Sequence, residues 1–364
     1  MTAKIVHVFY ENLPVGTLSE AENKLIAFEY NSDFIKNGFS VSPFFLPLRQ
    51  EVFIGKRQPF EGLHGVFNDS LPDGWGRLLI DRMLIKHRQN LSGITPLDRL
   101  CIAGNSTVGA LQYKPQFQLP IQEEVIQDLD YISLEAQKIL SDRDDYNLDL
   151  LVKMAGSSGG ARPKVFIDIN GEEWLIKFRS STDQKNMGVI EYQHSLMAKK
   201  AGIDMPETKL FPSKVCPGYF GVKRFDRENN KKIHVHSASG LLYASYRYPS
   251  VDYIDLLKAT YLLTRSYDEV SKLFRIMVFN ILIQNKDDHT KNFSFLYKDD
   301  KWQLSPAYDL VPSDGMNGEH ATTVAGVGKD ITENDMLNVA KDVGFNLKKA
   351  KRIIDDVKSL QFSF

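Results

Sequence analysis

The segment Asn285-Lys286-Asp287-Asp288-His289-Thr290-Lys291-Asn292 places two carboxylates, an imidazole, two lysines and two amides in eight residues. Such groups can hold a hard cation through oxygen, accept a proton, or neutralise a phosphate. Asp287 and Asn292 are five apart. Downstream, Asp309 is the only carboxylate in the apolar, proline-bounded run SPAYDLVP. Upstream, Lys177 stands near the end of a strand-like run that follows the glycine-rich stretch KMAGSSGGARPK, and Glu191 opens the next helical pattern.

D-x-x-x-x-N is the spacing of a kinase catalytic loop, in which the Asp faces the substrate hydroxyl and the Asn holds magnesium. Asp309 can supply the second metal-binding carboxylate, Lys177 can pair with phosphates, and Glu191 can orient that lysine. Each feature alone is weak: Lys177 also reads as a surface lysine, and Glu191 as a residue that favours a helix N-terminus. The glycine stretch fits neither G-x-x-x-x-G-K-[ST] nor G-x-G-x-x-G, which disfavours a P-loop NTPase and a standard kinase loop. The ordered conjunction is what points to phosphoryl transfer.

These groups need rigid supports. Val270, Leu273, Phe274, Met277, Val278, Ile281 and Leu282 recur at i, i+3, i+4, i+7, i+8, i+11 and i+12, so a core helix must deliver the 285–292 segment from its C-terminus. Ser266 with Glu269 forms a capping-box pattern at its start. Lys164–Ile169 and Trp174–Phe178 alternate around Asn170-Gly171, a strong hairpin signal because a type I′ turn needs positive φ at both central residues. A helix over 191–201 ended by Gly202 and a strand over 219–226 complete that part. Earlier, strands are expected at Ile5–Tyr10, Leu25–Tyr30 and Phe44–Leu48, followed by a helix in LPDGWGRLLIDRMLIKHR with Asp73 as its cap.

A length of 364 residues suggests two domains, at roughly 150 residues each. The boundary falls in 114–145, giving 1–120 and 145–364. A net charge of -1 argues against non-specific nucleic-acid binding by the whole chain. Cys101 and Cys216 lie far apart without a CxxC pair and support neither a disulfide framework nor a thiolate zinc site. The strand-like N-terminus lacks a signal-peptide core and no run approaches the roughly 18 apolar residues of a membrane span, so the expectation is a soluble cytoplasmic protein.

SSGGARPK, WLIKF, VKRFDR, NKDDHTKNFSFL and SPAYDLVP, with GVFNDSLPDGWGRLL earlier, resemble in order the motifs of the HipA family, serine/threonine kinases that act as toxins in bacterial toxin-antitoxin pairs. The resemblance covers most of the chain. It implies an α+β, two-lobed protein-kinase-like fold with a β-rich N-terminal subdomain and a mostly helical C-terminal lobe, and ATP and Mg2+ as cofactors. At matching positions it makes Asp287 the catalytic base, Asn292 and Asp309 the metal ligands, and Lys177 the phosphate-binding lysine. Gly159, Gly160, Ala161, Arg162, Pro163 and Lys164 form the phosphate loop. Lys223, Arg224 and Phe225 form the adenine hinge, where some members have Glu in place of Lys223, with Asp226 near the ribose. His289, Lys291 and Tyr308 lie on the ATP side. Ser157 matches a serine that members autophosphorylate to switch themselves off, and Ser158 is its neighbour. The implied partners are a protein substrate, with an aminoacyl-tRNA synthetase among those of the family, and a small helix-turn-helix antitoxin through which DNA is met indirectly.

Two rival readings remain at this level. A metal-dependent hydrolase or nuclease would use Asp287, Asp288, His289 and Asp309, with His234 and His236 facing one side of a strand. That scheme leaves the glycine loop, Lys177 and Asn292 without a job. A pseudokinase-like binding module would keep the fold without chemistry, against which all the expected catalytic letters are present.

Overall fold

The computed structural model describes residues 3–121, 127–156 and 158–360. The chain forms two compact units, one of residues 1–192 with 207–234 and one of residues 193–206 with 235–364. The units are defined by packing, and they cut through the 145–364 segment rather than parting at the 114–145 connection. Ile132, Ala136 and Ile139 of the Leu129–Leu140 helix share one core with Trp75, Leu79, Trp174 and Ile176.

The first unit is built on two antiparallel sheets. One has five strands in the order Val52–Ile54, Ile26–Tyr30, Leu13–Glu20, Ile5–Tyr10, Leu111–Lys114. The other has four, in the order Lys164–Ile169, Glu172–Lys177, Tyr219–Lys223, Thr208–Phe211. Asn170 and Gly171 take φ of 56° and 82°, the type I′ geometry that joins the first two strands of this sheet. Trp174 and Ile176 point into the core from the same strand face and are fully buried, a gain of about 1.5–3 kcal/mol for a large apolar side chain.

Phe44–Leu48 is not a strand. Pro43 precedes it and Pro47 interrupts it, and a proline cannot donate to a ladder. The segment folds into a turn in which the Leu46 amide donates to Ser42 O at 2.7 Å, while Tyr30 OH and Ser40 Oγ both donate to Leu46 O. The helix expected to open at Glu191 spans Met187–Lys200, so Glu191 lies one turn inside it.

In the second unit the Tyr267–Leu282 helix is central. Its stripe residues Val270, Leu273, Phe274, Met277, Val278 and Ile281 are buried, as are Ile276 and Phe279, in a core shared with the Tyr253–Thr264, Glu333–Asp342 and Leu347–Lys358 helices. Ser266 Oγ caps it by accepting the Asp268 and Glu269 amides. The reciprocal half of the capping box is not made. Glu269 instead accepts the Leu304 amide at 2.7 Å and Lys272 Nζ at 2.7 Å, tying the helix start to the Ser294–Lys298/Lys301–Leu304 hairpin. Among the described residues no helix is long and apolar enough to cross a membrane.

Candidate active site

In the first unit, Lys177 ends its strand with the ammonium paired to the Glu191 carboxylate of the Met187–Lys200 helix. Both side chains are nearly buried, at 10% and 4% exposure. A buried lysine and glutamate fix each other's rotamer, and removing either would leave the other unpaired in a poor solvent for ions. Lys177 Nζ also lies 5.7 Å from the centroid of the Phe220 ring.

The glycine loop precedes that hairpin. Gly160 takes φ of 80°, and Lys164 Nζ donates to the Gly159 carbonyl, which curls the loop over its own lysine. Arg162 forms a two-pronged pair with Asp183 at 2.9 and 3.1 Å, and the Ser180 amide donates to the same carboxylate at 2.7 Å. Burial pushes the Asp183 carboxyl up, but Arg162 and Ser180 outweigh it and hold the group below the usual carboxylate range. Ala161 is exposed and Pro163 buried, with the Pro163 carbonyl taking the Phe178 amide at 2.8 Å. Ser157 lies outside the described residues. Ser158 is 1% exposed and its Oγ has no hydrogen-bond partner among them.

At the expected hinge, the Lys223 and Arg224 amides donate to the Glu207 and Glu173 carbonyls, each at 2.9 Å. Lys223 Nζ pairs with Glu172 at 2.5 Å. Asp226 has a structural job that sequence reasoning missed. It is buried and accepts from Arg224 at 2.9 and 2.7 Å, from Arg227 at 2.8 Å and from the Gly109 amide at 2.8 Å. Three of these bonds fall on Oδ2 and one on Oδ1, so the buried carboxylate holds two arginines and a backbone amide together.

In the second unit, the core helix ends at Leu282 and the chain turns into 285–292. Asp287 is fixed by its backbone, with its amide donating to Ser313 Oγ at 2.7 Å, while its carboxylate is 65% exposed. Asn292 Nδ2 donates to the Asp287 carbonyl at 2.8 Å, so the side-chain oxygen of Asn292 faces away from that contact. His289 Nε2 lies 3.9 Å from Asp287 Oδ1, and its Nδ1 is buried with no hydrogen-bond partner among the described residues. The Tyr246 ring lies 5.8 Å from the His289 ring and 4.6 Å from Lys291 Nζ. Tyr308 OH donates to the Lys291 carbonyl at 2.8 Å and contacts Ser294 Oγ at 2.6 Å, so its hydroxyl fixes the loop backbone.

Asp288 is the loop's buried anchor. Its Oδ2 meets Tyr253 OH and His320 Nδ1, both at 2.9 Å, and its Oδ1 accepts the Thr322 amide at 3.2 Å. Burial, then the Asp288 charge, push the Tyr253 phenol well above its ordinary range. Asn280 Nδ2 donates to Tyr253 OH at 3.1 Å, and Asn285 Nδ2 donates to Asn280 Oδ1 at 2.9 Å and to the Asp309 carbonyl at 3.2 Å. Through Asn285 the 285–292 loop and the Asp309 turn share one support. Asp309 has φ of 59°, a left-handed conformation that Asp tolerates better than most residues.

The hydrolase constellation does not assemble. His234 is buried and spends Nε2 on the Val41 carbonyl at 2.9 Å, and Asp288 is enclosed by its own partners. Among the described residues no group of three or more His, Cys, Asp or Glu side chains is arranged to hold a metal ion.

Residues 156–362 match the HipA-like C-terminal domain and residues 6–114 the HipA N-terminal domain. Two Sinorhizobium fredii proteins that carry provisional kinase names, Y4mE and Y4dM, are 27% and 24% identical to the chain. The matches cover 98% of this chain and 90% of Y4mE, and 82% and 74% for Y4dM. The fold is that of a chain in the solved Shewanella oneidensis MR-1 complex of HipA, HipB and operator DNA, at a TM-score of 0.73 and 18% identity over 97% of this chain and 88% of that one. With both domains matched in order across most of its length, the chain belongs to the HipA family.

Proposed function

We propose that the chain is an ATP- and magnesium-dependent serine/threonine protein kinase that acts as the toxin of a toxin-antitoxin pair. The observation that carries this reading is the buried Lys177–Glu191 pair, which holds a cation at the end of a strand beside a glycine loop. The kinase names of the two rhizobial relatives support it.

The donor set suits magnesium, which prefers oxygen ligands. Asn292 turns its amide oxygen away from the Asp287 carbonyl, and Asp309 is a carboxylate on a turn braced through Asn285. These two residues would hold the ion, and when bound it would neutralise charge on the phosphates. Asp287 accepts the proton of the substrate hydroxyl as that oxygen bonds to the γ-phosphorus of ATP and the bond from that phosphorus to the departing ADP oxygen breaks, and its high exposure leaves it open to a protein substrate. Lys177 carries the phosphate-side positive charge, with Gly159 to Lys164 cradling, and His289 and Lys291 approaching, the phosphates. The hinge reads adenine through the backbone of Lys223 to Phe225, and Ser157 is the self-phosphorylated residue that switches the enzyme off.

In this reading 1–120 is the HipA-like N-terminal subdomain and 145–364 a two-lobed kinase domain, the first compact unit holding the subdomain together with the glycine-loop lobe and the second the mostly helical lobe. The partners are a small helix-turn-helix antitoxin and, through it, DNA, by analogy with the Shewanella complex. The setting is the cytoplasm, and the target a translation component such as an aminoacyl-tRNA synthetase. Incubation with ATP and magnesium followed by intact-mass analysis tests the reading. The parent should gain phosphate on itself or on an added protein, and Asp287→Ala should lose that activity by at least about a hundredfold. No nucleotide binding and no phosphorylation in the parent across a range of protein substrates would sink it.

A further inference from the structure

The segment Pro72-Asp73-Gly74-Trp75-Gly76 has no role in the kinase reading, yet it seats the glycine loop. Asp73 stands at the N-cap position of the Gly74–Lys86 helix but makes no side-chain capping bond to it. Its carboxylate accepts the Gly160 amide instead, and the Trp75 amide donates to the Gly160 carbonyl at 2.9 Å. Gly160 is therefore bonded on both sides by residues more than eighty positions earlier.

The two glycines make this approach possible. A Cβ at Gly74 would stand 2.4 Å from Gly160 O, and one at Gly76 would stand 2.4 Å from Ser158 O, both shorter than real contacts. Gly74 also takes φ of 44°. From the loop side, a Cβ at Gly159 would meet Asp73 Oδ1 at 2.9 Å. The Trp75 side chain, 1% exposed, anchors the helix start in the core beneath. A helix N-terminus whose N-cap carboxylate bonds another segment goes without a cap worth roughly 1 kcal/mol.

We propose that Asp73 is a positioning residue for the phosphate loop: it fixes the Gly160 peptide so that the rest of the loop is held ready for nucleotide. The inference rests on the kinase reading for its consequence, but its geometry is independent of it. With Asp73 removed, the loop loses the bond that orders Gly159 to Ala161, and nucleotide affinity falls because the loop must be ordered on binding. Asn keeps an acceptor oxygen in the same place without the charge.

Hydrogen–deuterium exchange of peptides spanning 158–166, on the full chain without nucleotide, tests the seat itself. Asp73→Ala should speed exchange there by about tenfold, and Asp73→Asn should restore most of the protection. Unchanged exchange in Asp73→Ala overturns the proposal whether or not the protein is a kinase. Steady-state kinetics then test the consequence: KM for ATP should rise about three- to tenfold in Asp73→Ala while kcat changes less than twofold, with Asp73→Asn near the parent. Tighter ATP binding in Asp73→Ala would also overturn it, by making the carboxylate a competitor of the phosphates. If Asp73→Ala does not fold, the Gly76→Ala variant, which pushes against Ser158 O and leaves the carboxylate in place, must show the same exchange and KM changes. A parent that shows the exchange behaviour but never turns over ATP would count against the kinase reading alone.

Discussion

Asp288 Oδ2 lies 2.9 Å from His320 Nδ1 with both side chains buried, and the same oxygen takes the hydroxyl of Tyr253. The neighbouring carboxylate, Asp287, is open to solvent. Two adjacent aspartates thus divide the work of the loop, one holding and one facing outward. Asp288→Ala would leave Tyr253, His320 and the Thr322 amide without their acceptor. Loss of about 3–5 kcal/mol is expected, read as a lower midpoint in urea unfolding. Asp287→Ala, at an exposed position, should cost less than about 0.5 kcal/mol by the same unfolding measurement while removing activity. Equal stability losses in the two variants would refute this division.

The Lys177–Glu191 pair makes a second prediction. Removing one partner strands a buried charge, at a cost of about 3–5 kcal/mol, whereas replacing both with apolar residues of similar size is close to neutral. Lys177→Met should therefore melt well below the parent, and Lys177→Met with Glu191→Leu should recover most of the difference. Neither should transfer phosphate at more than about a hundredth of the parent rate, because the phosphate-side cation is gone in both. Thermal melts beside ATP turnover separate the two effects; recovered activity in the double variant would contradict the role given to Lys177.

Much of this was legible along the chain. The Tyr267–Leu282 helix follows from apolar spacing alone, and the 164–177 hairpin from Asn170-Gly171, because both signals are local. The Lys177–Glu191 pair followed from the order of motifs. Groups whose role is set by distant partners were not legible. Sequence reasoning chose Asp287 over Asp288 as the base, but what Asp288 anchors could not be read without knowing that Tyr253 and His320 converge on it, and Asp226 could not be read as the centre of an arginine network that reaches Gly109. Glu269 looked like half of a capping box because the strand amide it serves lies 35 residues away. Asp73 misled in the same way.

Tyr246 makes a third prediction. Its ring carries Lys291 Nζ at 4.6 Å and faces the His289 ring at 5.8 Å. An imidazole is ordinarily oriented by the hydrogen bond on its second nitrogen, but His289 Nδ1 has none among the described residues, so the aromatic contact does that job. Tyr246→Phe keeps the ring face and should stay within twofold of the parent in ATP turnover. Tyr246→Leu keeps bulk but loses the π face, and about a three- to tenfold fall is expected, corresponding to about 0.6–1.4 kcal/mol, within the range of a cation–π contact. Tyr248→Ala, two residues on and exposed, is the control that should change nothing. A Phe variant as impaired as the Leu variant would place the effect in the hydroxyl and refute the ring argument.

Asp226 sets a pH limit on the first unit. Burial pushes its carboxyl up, but Arg224 first, then Arg227 and the Gly109 amide, bring it from an ordinary 3.8 down to about 2. A group whose pKa is depressed on folding stabilises the native state fully above its unfolded pKa and loses that contribution as pH falls through the folded value. The difference of 3.8 minus about 2 corresponds to about 2 kcal/mol, present above about pH 4 and lost between about pH 4 and pH 2. Asp226→Asn removes the titration and leaves Arg224 and Arg227 facing each other without their shared anion. Denaturant midpoints should therefore start lower than the parent's at pH 7 and fall less steeply between pH 4 and pH 2, so that the two curves converge at the acid end. Parallel curves across that window would show that the arginine network is not what acid breaks.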